Sequence, residues 1–247
     1  KGDLNFKKKR ILLTRPIEDS LEISSKINKE FDIFLAPLLE VKGIDNDLDN
    51  LSDIDIIIFT SKNGIRHFGL KELIGKKLVF TVGEGTKELA NKQGINNVIN
   101  VDGDLNKMQS IMEPYLKEQM KILHPTFQVK NSEIELFFSK KKCQYFSFPC
   151  YQSIKTNKNN LIFSDFMKNY NDGIVTLFSS RTAESFKSEL KKLNYQHYCK
   201  NKILIALSKN IVEQISDLNF KKIEITDKPN LESAIKSLKK LGSRREI

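Results

Sequence analysis

Short apolar runs of strand length alternate with amphipathic stretches along this chain, and one such alternation occurs twice. Ile56–Phe68 reads IIIFTSKNGIRHF, an apolar run ending in Thr-Ser and opening into a helical pattern; Leu78–Gly94, LVFTVGEGTKELANKQG, adds a second strand and helix. Far downstream Ile174–Phe186 reads IVTLFSSRTAESF, followed by ILIALSKNIVEQI at Ile203–Ile215. Two copies of one strand–hydroxyl turn–helix design imply two similar domains addressing one shared ligand.

The periodicity predicts strands at Ile11–Leu13, Phe31–Leu35, Ile54–Phe59, Leu78–Val82, Val98–Asn100, Ile122–His124, Cys143–Phe146, Ile174–Phe178, Ile203–Ala206 and Ile223–Ile225. It predicts helices at Leu21–Lys29, with Ser20 as N-cap, near Phe163–Asn169, and at Leu231–Leu241. Continuous apolar strands alternating with helices belong to parallel sheets covered on both faces. Extended segments at Leu38–Ile44 and Tyr151–Ile154 bracket the middle block. The predicted fold is therefore α/β: two similar doubly wound domains with parallel sheets, joined by a two-stranded linker, one domain discontinuous. The outer domain takes residues 1–36 and 155–247, the inserted domain 43–148, and the linker strands 37–42 and 149–154. Lys1–Lys9 and Gly242–Ile247 read as polar, mobile tails.

Composition narrows the class without naming a function. The 247 residues are 39% hydrophobic and 29% charged, as in globular proteins, and no apolar run reaches membrane-spanning length. ILL at residues 11–13 is too short for a signal-peptide core, so the expected location is cytoplasmic. Cys143, Cys150 and Cys199 are widely spaced and read as reduced thiols; no metal-binding spacing is present. The net charge of +10 suits an anionic partner, but its lysines are scattered rather than gathered into a stripe.

In doubly wound sheets, ligands bind beyond the carboxyl ends of the strands. This chain places its unusual turns there: Thr60-Ser61-Lys62-Asn63-Gly64, Val82-Gly83-Glu84-Gly85-Thr86, Phe178-Ser179-Ser180-Arg181-Thr182 and Ala206-Leu207-Ser208-Lys209-Asn210. Free N–H groups at a helix start, hydroxyl donors and bare glycine backbone together suit a carboxylate or phosphate. Plain helix capping accounts for any one of these turns; their paired recurrence points to a polyanion receptor. GEGT matches neither a dinucleotide fingerprint nor a P-loop. Of the three histidines, His67 reads as half-buried packing, His197 as loop surface, and His124 as a strand end before Pro125 that either packs or faces a ligand. No nucleophile–histidine–acid arrangement is present, so if the chain is an enzyme it works by positioning.

Taken in order, ILLTRP at Ile11–Pro16, IIFTSKNGIRHF at Ile57–Phe68, FTVGEGTKELANKQGI at Phe80–Ile95, VDGD at Val101–Asp104, CYQSI at Cys150–Ile154, LFSSRTAESF at Leu177–Phe186 and IALSKNIVEQI at Ile205–Ile215 resemble the uroporphyrinogen-III synthase family. The resemblance implies two linked α/β domains and a cofactor-free, metal-free lyase of tetrapyrrole biosynthesis. Its substrate would be hydroxymethylbilane, closed to uroporphyrinogen III with inversion of ring D. Hydroxide leaves from the ring A end, and azafulvene and spiro-pyrrolenine intermediates follow. The resemblance further implies a cytoplasmic monomer, with transient contact with the upstream bilane-forming deaminase and no nucleic-acid or membrane partner. Tyr151 occupies the place of the family's linker tyrosine and would assist departure of the hydroxide. Arg15, Thr60, Ser61, Gly83, Thr86, Ser179 and Ser180 match family turn positions; Lys62 and His124 join them as substrate-binding candidates. Ser208 stands where many members carry threonines, and His124-Pro125-Thr126 where bacterial members often carry Arg-Gly.

Two other readings use the same residues. A non-enzymatic two-domain binder of an acidic small molecule would need the same turns. Nucleic-acid binding would follow from the charge, but it calls for clustered arginine with exposed aromatics, whereas here lysine dominates and tryptophan is absent.

Overall fold

The computed structural model describes residues 7–46, 53–101, 105–127 and 132–243. Lys1–Phe6 and Arg244–Ile247 of the expected tails, and Asp102–Asp104 of the VDGD segment, lie outside the described residues. In chain order the elements are β1 (Lys9–Leu13), α1 (Ile17–Ile27), β2 (Phe31–Leu35), β3 (Leu39–Gly43), β4 (Ile56–Phe59), α2 (Lys62–His67), β5 (Leu78–Val82), α3 (Glu84–Lys92), β6 (Val98–Val101) and α4 (Leu105–Met112). There follow β7 (Lys121–Phe127), α5 (Ser132–Lys140), β8 (Gln144–Lys155), α6 (Asn160–Asn169), β9 (Gly173–Leu177), α7 (Ser180–Leu193), β10 (Lys202–Ala206), α8 (Lys209–Gln214), β11 (Lys222–Ile225) and α9 (Leu231–Ser243). Contacts divide the chain into two compact units: residues 1–40 with 154–247, and residues 41–153.

The outer unit has a five-stranded sheet in the order β11-β10-β9-β1-β2, with every pair parallel. Alternate residues enter opposite cores, which is why its central strands β1, β9 and β10 read as largely apolar runs. Ile11, Leu13 and Ile174 pack with Ile23, Ile27, Ala234 and Leu238 on one face. Leu12, Val175 and Leu177 pack with Phe163, Phe166 and Phe186 on the other. Lys202 is buried in β10; its ammonium bonds the carbonyls of Met167 (3.2 Å) and Tyr170, so the last carbonyls of α6 meet a cation.

The inserted unit carries a sheet in the order β3-β8-β7-β4-β5-β6. From β8 to β6 its pairs are parallel. Ile56 and Ile58 face Met108, Ile134 and Phe138, while Ile57 and Phe59 face Ile65, Phe68 and Ala90. β3 runs beside β8: Ile44 N–H donates to Cys150 O (2.9 Å) and Thr156 N–H to Leu38 O (3.1 Å), an antiparallel sense. The α/β class with parallel sheets expected from the sequence is therefore the one found. Matching β4 with β9, β5 with β10, β6 with β11, β7 with β1 and β8 with β2 makes the five parallel strands of the two sheets identical in order. Among these five strands the inserted unit begins with the equivalent of the outer unit's β9, so the two sets follow one another as circular permutations along the chain.

Several expectations are corrected. Helix α1 starts at Ile17, not Leu21, and Pro16 holds the cap position (φ −47°). Ser20 is not a cap: it is buried inside the helix, and its hydroxyl donates back to Arg15 O (2.8 Å). Lys9 belongs to β1 and α9 runs to Ser243, so both tails are shorter than expected. His124 does not end its strand, because β7 continues through Pro125 to Phe127. β4 pairs with β7 only at Ile122 and Leu123, so Pro125 falls past that ladder. Cys143–Phe146 and Tyr151–Ile154 are not separate strands; Gln144–Lys155 is one strand of 12 residues. Pro149 fits because it adjoins a bulge, where Thr126 pairs with Pro149 but Phe127 with Tyr151, leaving Cys150 as the extra residue.

Candidate functional site

In each unit one pair of neighbouring parallel strands marks the point where the strand order reverses. It lies between β4 and β7 in the inserted unit and between β1 and β9 in the outer unit. Loops leaving the two strands diverge there to opposite faces of the sheet and open a crevice, the usual ligand position of such folds.

At the inserted unit's switch point the sequence-selected residues fall into two adjacent hydrogen-bonded groups. Ser61, with extended backbone (φ −151°, ψ 155°), caps α2 by accepting Gly64 N–H (3.1 Å). Its Oγ stands 2.8 Å from the Tyr151 hydroxyl. The bulge at Cys150 shifts the two-residue alternation of β8 at Tyr151, so the bulge decides which way that side chain points. The Tyr151 ring packs beside Phe127 and His67, with centroids 5.5 and 6.0 Å away. Burial pushes the Tyr151 phenol above its ordinary value, opposed by the Ser61 bond; at neutral pH it keeps its proton and can donate.

Thr60, one residue earlier, lies 2.9 Å from His124 Nε2, and His124 Nδ1 lies 2.7 Å from the Tyr145 hydroxyl. His124 is 1% exposed, and burial lowers its pKa to about 4, so the ring is neutral. It supports Thr60 from inside rather than presenting itself at the surface. Tyr145 escaped the sequence reading because its partner lies 21 residues away in another strand, and at the head of an apolar run it reads as packing.

At the next turn Gly83 has φ +86°, a conformation that favours glycine, and forms the cap position of α3. Thr86 is buried, and its N–H donates to Gly83 O (3.1 Å). The bare Cα of Gly85 makes room for Lys62, whose Cε and Nζ lie 2.7 and 3.1 Å from where a Cβ would stand. An ammonium is thus laid over the start of α3, where helix N–H groups already favour negative charge.

The outer unit repeats the device. Ser179 (φ −152°, ψ 156°) caps α7 by accepting Thr182 N–H at 3.1 Å, nearly the same geometry as Ser61. Ser180 Oγ accepts from Asn210 Nδ2 (3.2 Å), which ties the α7 turn to the α8 turn. Ser208 holds the cap position of α8 with extended backbone but makes no side-chain cap bond. Arg15 follows β1 at the switch point; its guanidinium donates to Asp19 (2.9 Å), and its Nε is buried without a partner. Arg15 thus braces its own turn against Asp19.

The ladders also show which positions correspond. Ile56 pairs with Leu78 and with Ile122, while Ile174 pairs with Ile203 and with Ile11. Aligning Ser61 with Ser179 therefore matches Gly83 with Ser208, Thr86 with Ile211, and Thr126 with Arg15. The position equivalent to Thr86 is filled in the outer unit by the buried, apolar Ile211. Among the described residues no cluster of three or more His, Cys, Asp or Glu is placed to hold a metal ion. No helix among them is long and apolar enough to cross a membrane.

The chain is similar to solved structures. A crystal structure of uroporphyrinogen-III synthetase from Helicobacter pylori 26695 is similar to this chain at 14% identity, with a TM-score of 0.63, over 95% of this chain and 100% of that one. A mutant uroporphyrinogen III synthase from the extremely thermophilic bacterium Thermus thermophilus is similar at 10% identity, with a TM-score of 0.49, over 96% and 100%. No curated protein sequence matches this chain. The family model described as Uroporphyrinogen-III synthase HemD matches residues 24–236, which include the turns of both units apart from Arg15. The chain belongs to the uroporphyrinogen-III synthase family.

Proposed function

We propose that this protein closes hydroxymethylbilane to uroporphyrinogen III through the residues gathered at the two switch points. The observation that carries the reading is the family match over residues 24–236. The enzyme is a lyase of tetrapyrrole biosynthesis, and its linear substrate carries acetate and propionate groups on every pyrrole.

Each unit then offers its own carboxylate donors: Thr60, Ser61, Lys62 and the Gly83–Thr86 turn in the inserted unit, and Arg15, Ser179, Ser180 and Ser208 in the outer one. A charge-assisted hydrogen bond contributes roughly 1.5–3 kcal/mol, so several of them select one folded conformation of a flexible bilane. That selection is the catalytic task, because ring D must be attacked at its substituted carbon to give the spiro intermediate rather than simply closing. Tyr151 donates its O–H to the departing ring A hydroxyl. A phenol that holds its proton acts by hydrogen bonding to the developing hydroxide, while the pyrrole nitrogen supplies the electron push. His124 acts behind Thr60 rather than at the substrate.

Residues 37–42 and 149–154 serve as linker strands between an outer domain of 1–36 with 155–247 and an inserted domain of 43–148. The protein works as a cytoplasmic monomer that takes its unstable substrate by transient contact with the upstream deaminase.

Product analysis tests the reaction. Fresh hydroxymethylbilane is incubated with and without the protein and oxidised, and the porphyrin isomers are separated. Predominant type III is expected; type I at the protein-free rate, from a folded sample, would overturn the assignment and favour a binding module.

A further inference from the structure

Thr60 touches the buried pair His124 and Tyr145, and the direction of the hydrogens in that chain determines what Thr60 can offer. A neutral imidazole donates from one nitrogen and accepts at the other. Two arrangements are then possible. In one, Tyr145 O–H donates to Nδ1 and Nε2–H donates to Thr60 Oγ1. In the other, Thr60 O–H donates to Nε2 and Nδ1–H donates to the phenol oxygen.

Chemistry favours the first at both ends. A bare imidazole nitrogen accepts better than a phenol oxygen, and a phenol donates better than an aliphatic alcohol. Burial raises the Tyr145 pKa to about 12, with the neighbouring Ser147 hydroxyl opposing it, so its single proton stays on oxygen, and Nδ1 stands 2.7 Å away to accept it. The Tyr145 ring is held in place by stacking on Phe138, with centroids 5.6 Å apart and planes at 12°. The chain Tyr145→His124→Thr60 thus fills a lone pair of Thr60 and leaves its hydroxyl hydrogen unspent. Thr60 is partly exposed at the switch point, beside Ser61.

We propose that Tyr145 and His124 are positioning residues that set Thr60 as an obligate hydrogen-bond donor to a carboxylate of the substrate. The substrate part of this inference rests on the synthase reading; the hydrogen assignment does not. In the reverse arrangement Thr60 would spend its hydrogen on the ring and present only lone pairs, repelling a carboxylate. His124 and Tyr145 therefore act on binding, through Thr60, and not on the reacting carbon.

The test has two arms. In the wild-type protein labelled with 15N-histidine, the His124 ring is assigned by its through-space contact with the Tyr145 ring. Nε2 should be protonated and Nδ1 bare; protonation at Nδ1 would overturn the proposal, and this arm needs no variant to fold. In the second arm, Thr60→Val is expected to raise KM about tenfold with kcat within about twofold, and Tyr145→Phe to raise KM about threefold. In the Thr60→Val background Tyr145→Phe should add nothing, since the pair acts only through the lost hydroxyl. A Tyr145 effect that persists without Thr60, or that falls on kcat alone, overturns the proposal. A wild-type protein that forms no type III product defeats the functional reading instead, and the ring spectrum still decides the hydrogen assignment.

Discussion

Gly64→Ala is the substitution in which local preference and tertiary packing oppose each other most clearly. Gly64 lies in α2, where alanine would favour the helix by about 0.5–1 kcal/mol. A Cβ at this position would stand 2.8 Å from the backbone carbonyl oxygen of Pro125 and 3.4 Å from Phe59 Cδ1. The first distance falls 0.6 Å short of ordinary contact, and the obstacle is main chain in β7, which no rotamer change can move. Forcing α2 away costs about 1–3 kcal/mol, which exceeds the propensity gain. The expected net destabilisation is up to about 2.5 kcal/mol. Amide hydrogen exchange in β4 and β7 measures it within the inserted unit itself. The displaced segment carries Ser61, so a shift of this size stretches and misaligns its 2.8 Å bond to Tyr151, and type III formation should fall about tenfold. Gly69→Ala serves as the control, because nothing lies within 4 Å of its added Cβ; it should be neutral or slightly stabilising. A Gly64→Ala protein that is more stable than wild type, with full activity, would refute the packing argument.

Three further outcomes are expected. Tyr151→Phe should lower kcat by about 10²-fold while shifting stability by no more than about 1 kcal/mol; unchanged turnover would remove the hydroxyl from the mechanism. His124 resists protonation in the fold, with its pKa at about 4 against an ordinary 6.5. Between those values the unfolded chain binds a proton that the native state does not, so stability is lost as pH falls from about 6.5 to about 4, by up to about 3 kcal/mol. His124→Leu should flatten that part of a urea-melt pH series, and an unchanged slope would place the titrating group elsewhere. Burial pushes the Cys150 and Cys199 thiols up to about 12 and raises that of Cys143, and all three are buried. A disulfide reagent at pH 8 should therefore modify them only on unfolding, and rapid labelling of the native protein would contradict that burial.

Much of the architecture could be read from the chain because its signals are local. Ile56–Phe59 is apolar on both faces and Gly173–Leu177 nearly so, as strands packed between two helix layers must be, and the serines and glycine that follow are the residues a helix start requires. Ser61, Gly83, Ser179 and Ser208 were identifiable as cap positions for that reason. What remained hidden depended on partners distant in sequence. Pro149 reads as a strand breaker, and only the bulge opposite Thr126 and Phe127 lets β8 run through it and redirect Tyr151. Pro125 made His124 look like a strand end, whereas β7 continues and encloses the ring between Thr60 and Tyr145. Arg15 and Ser179 are far apart in the chain, yet both follow strands that flank the outer unit's switch point. Hydrophobic period and turn chemistry thus determine which segments become strands and where helices begin, because each is decided within a few residues. Strand order, register and the bulge are decided by pairing between distant segments, so only the tertiary structure selects which of those turns share a crevice and which side chains stand behind them.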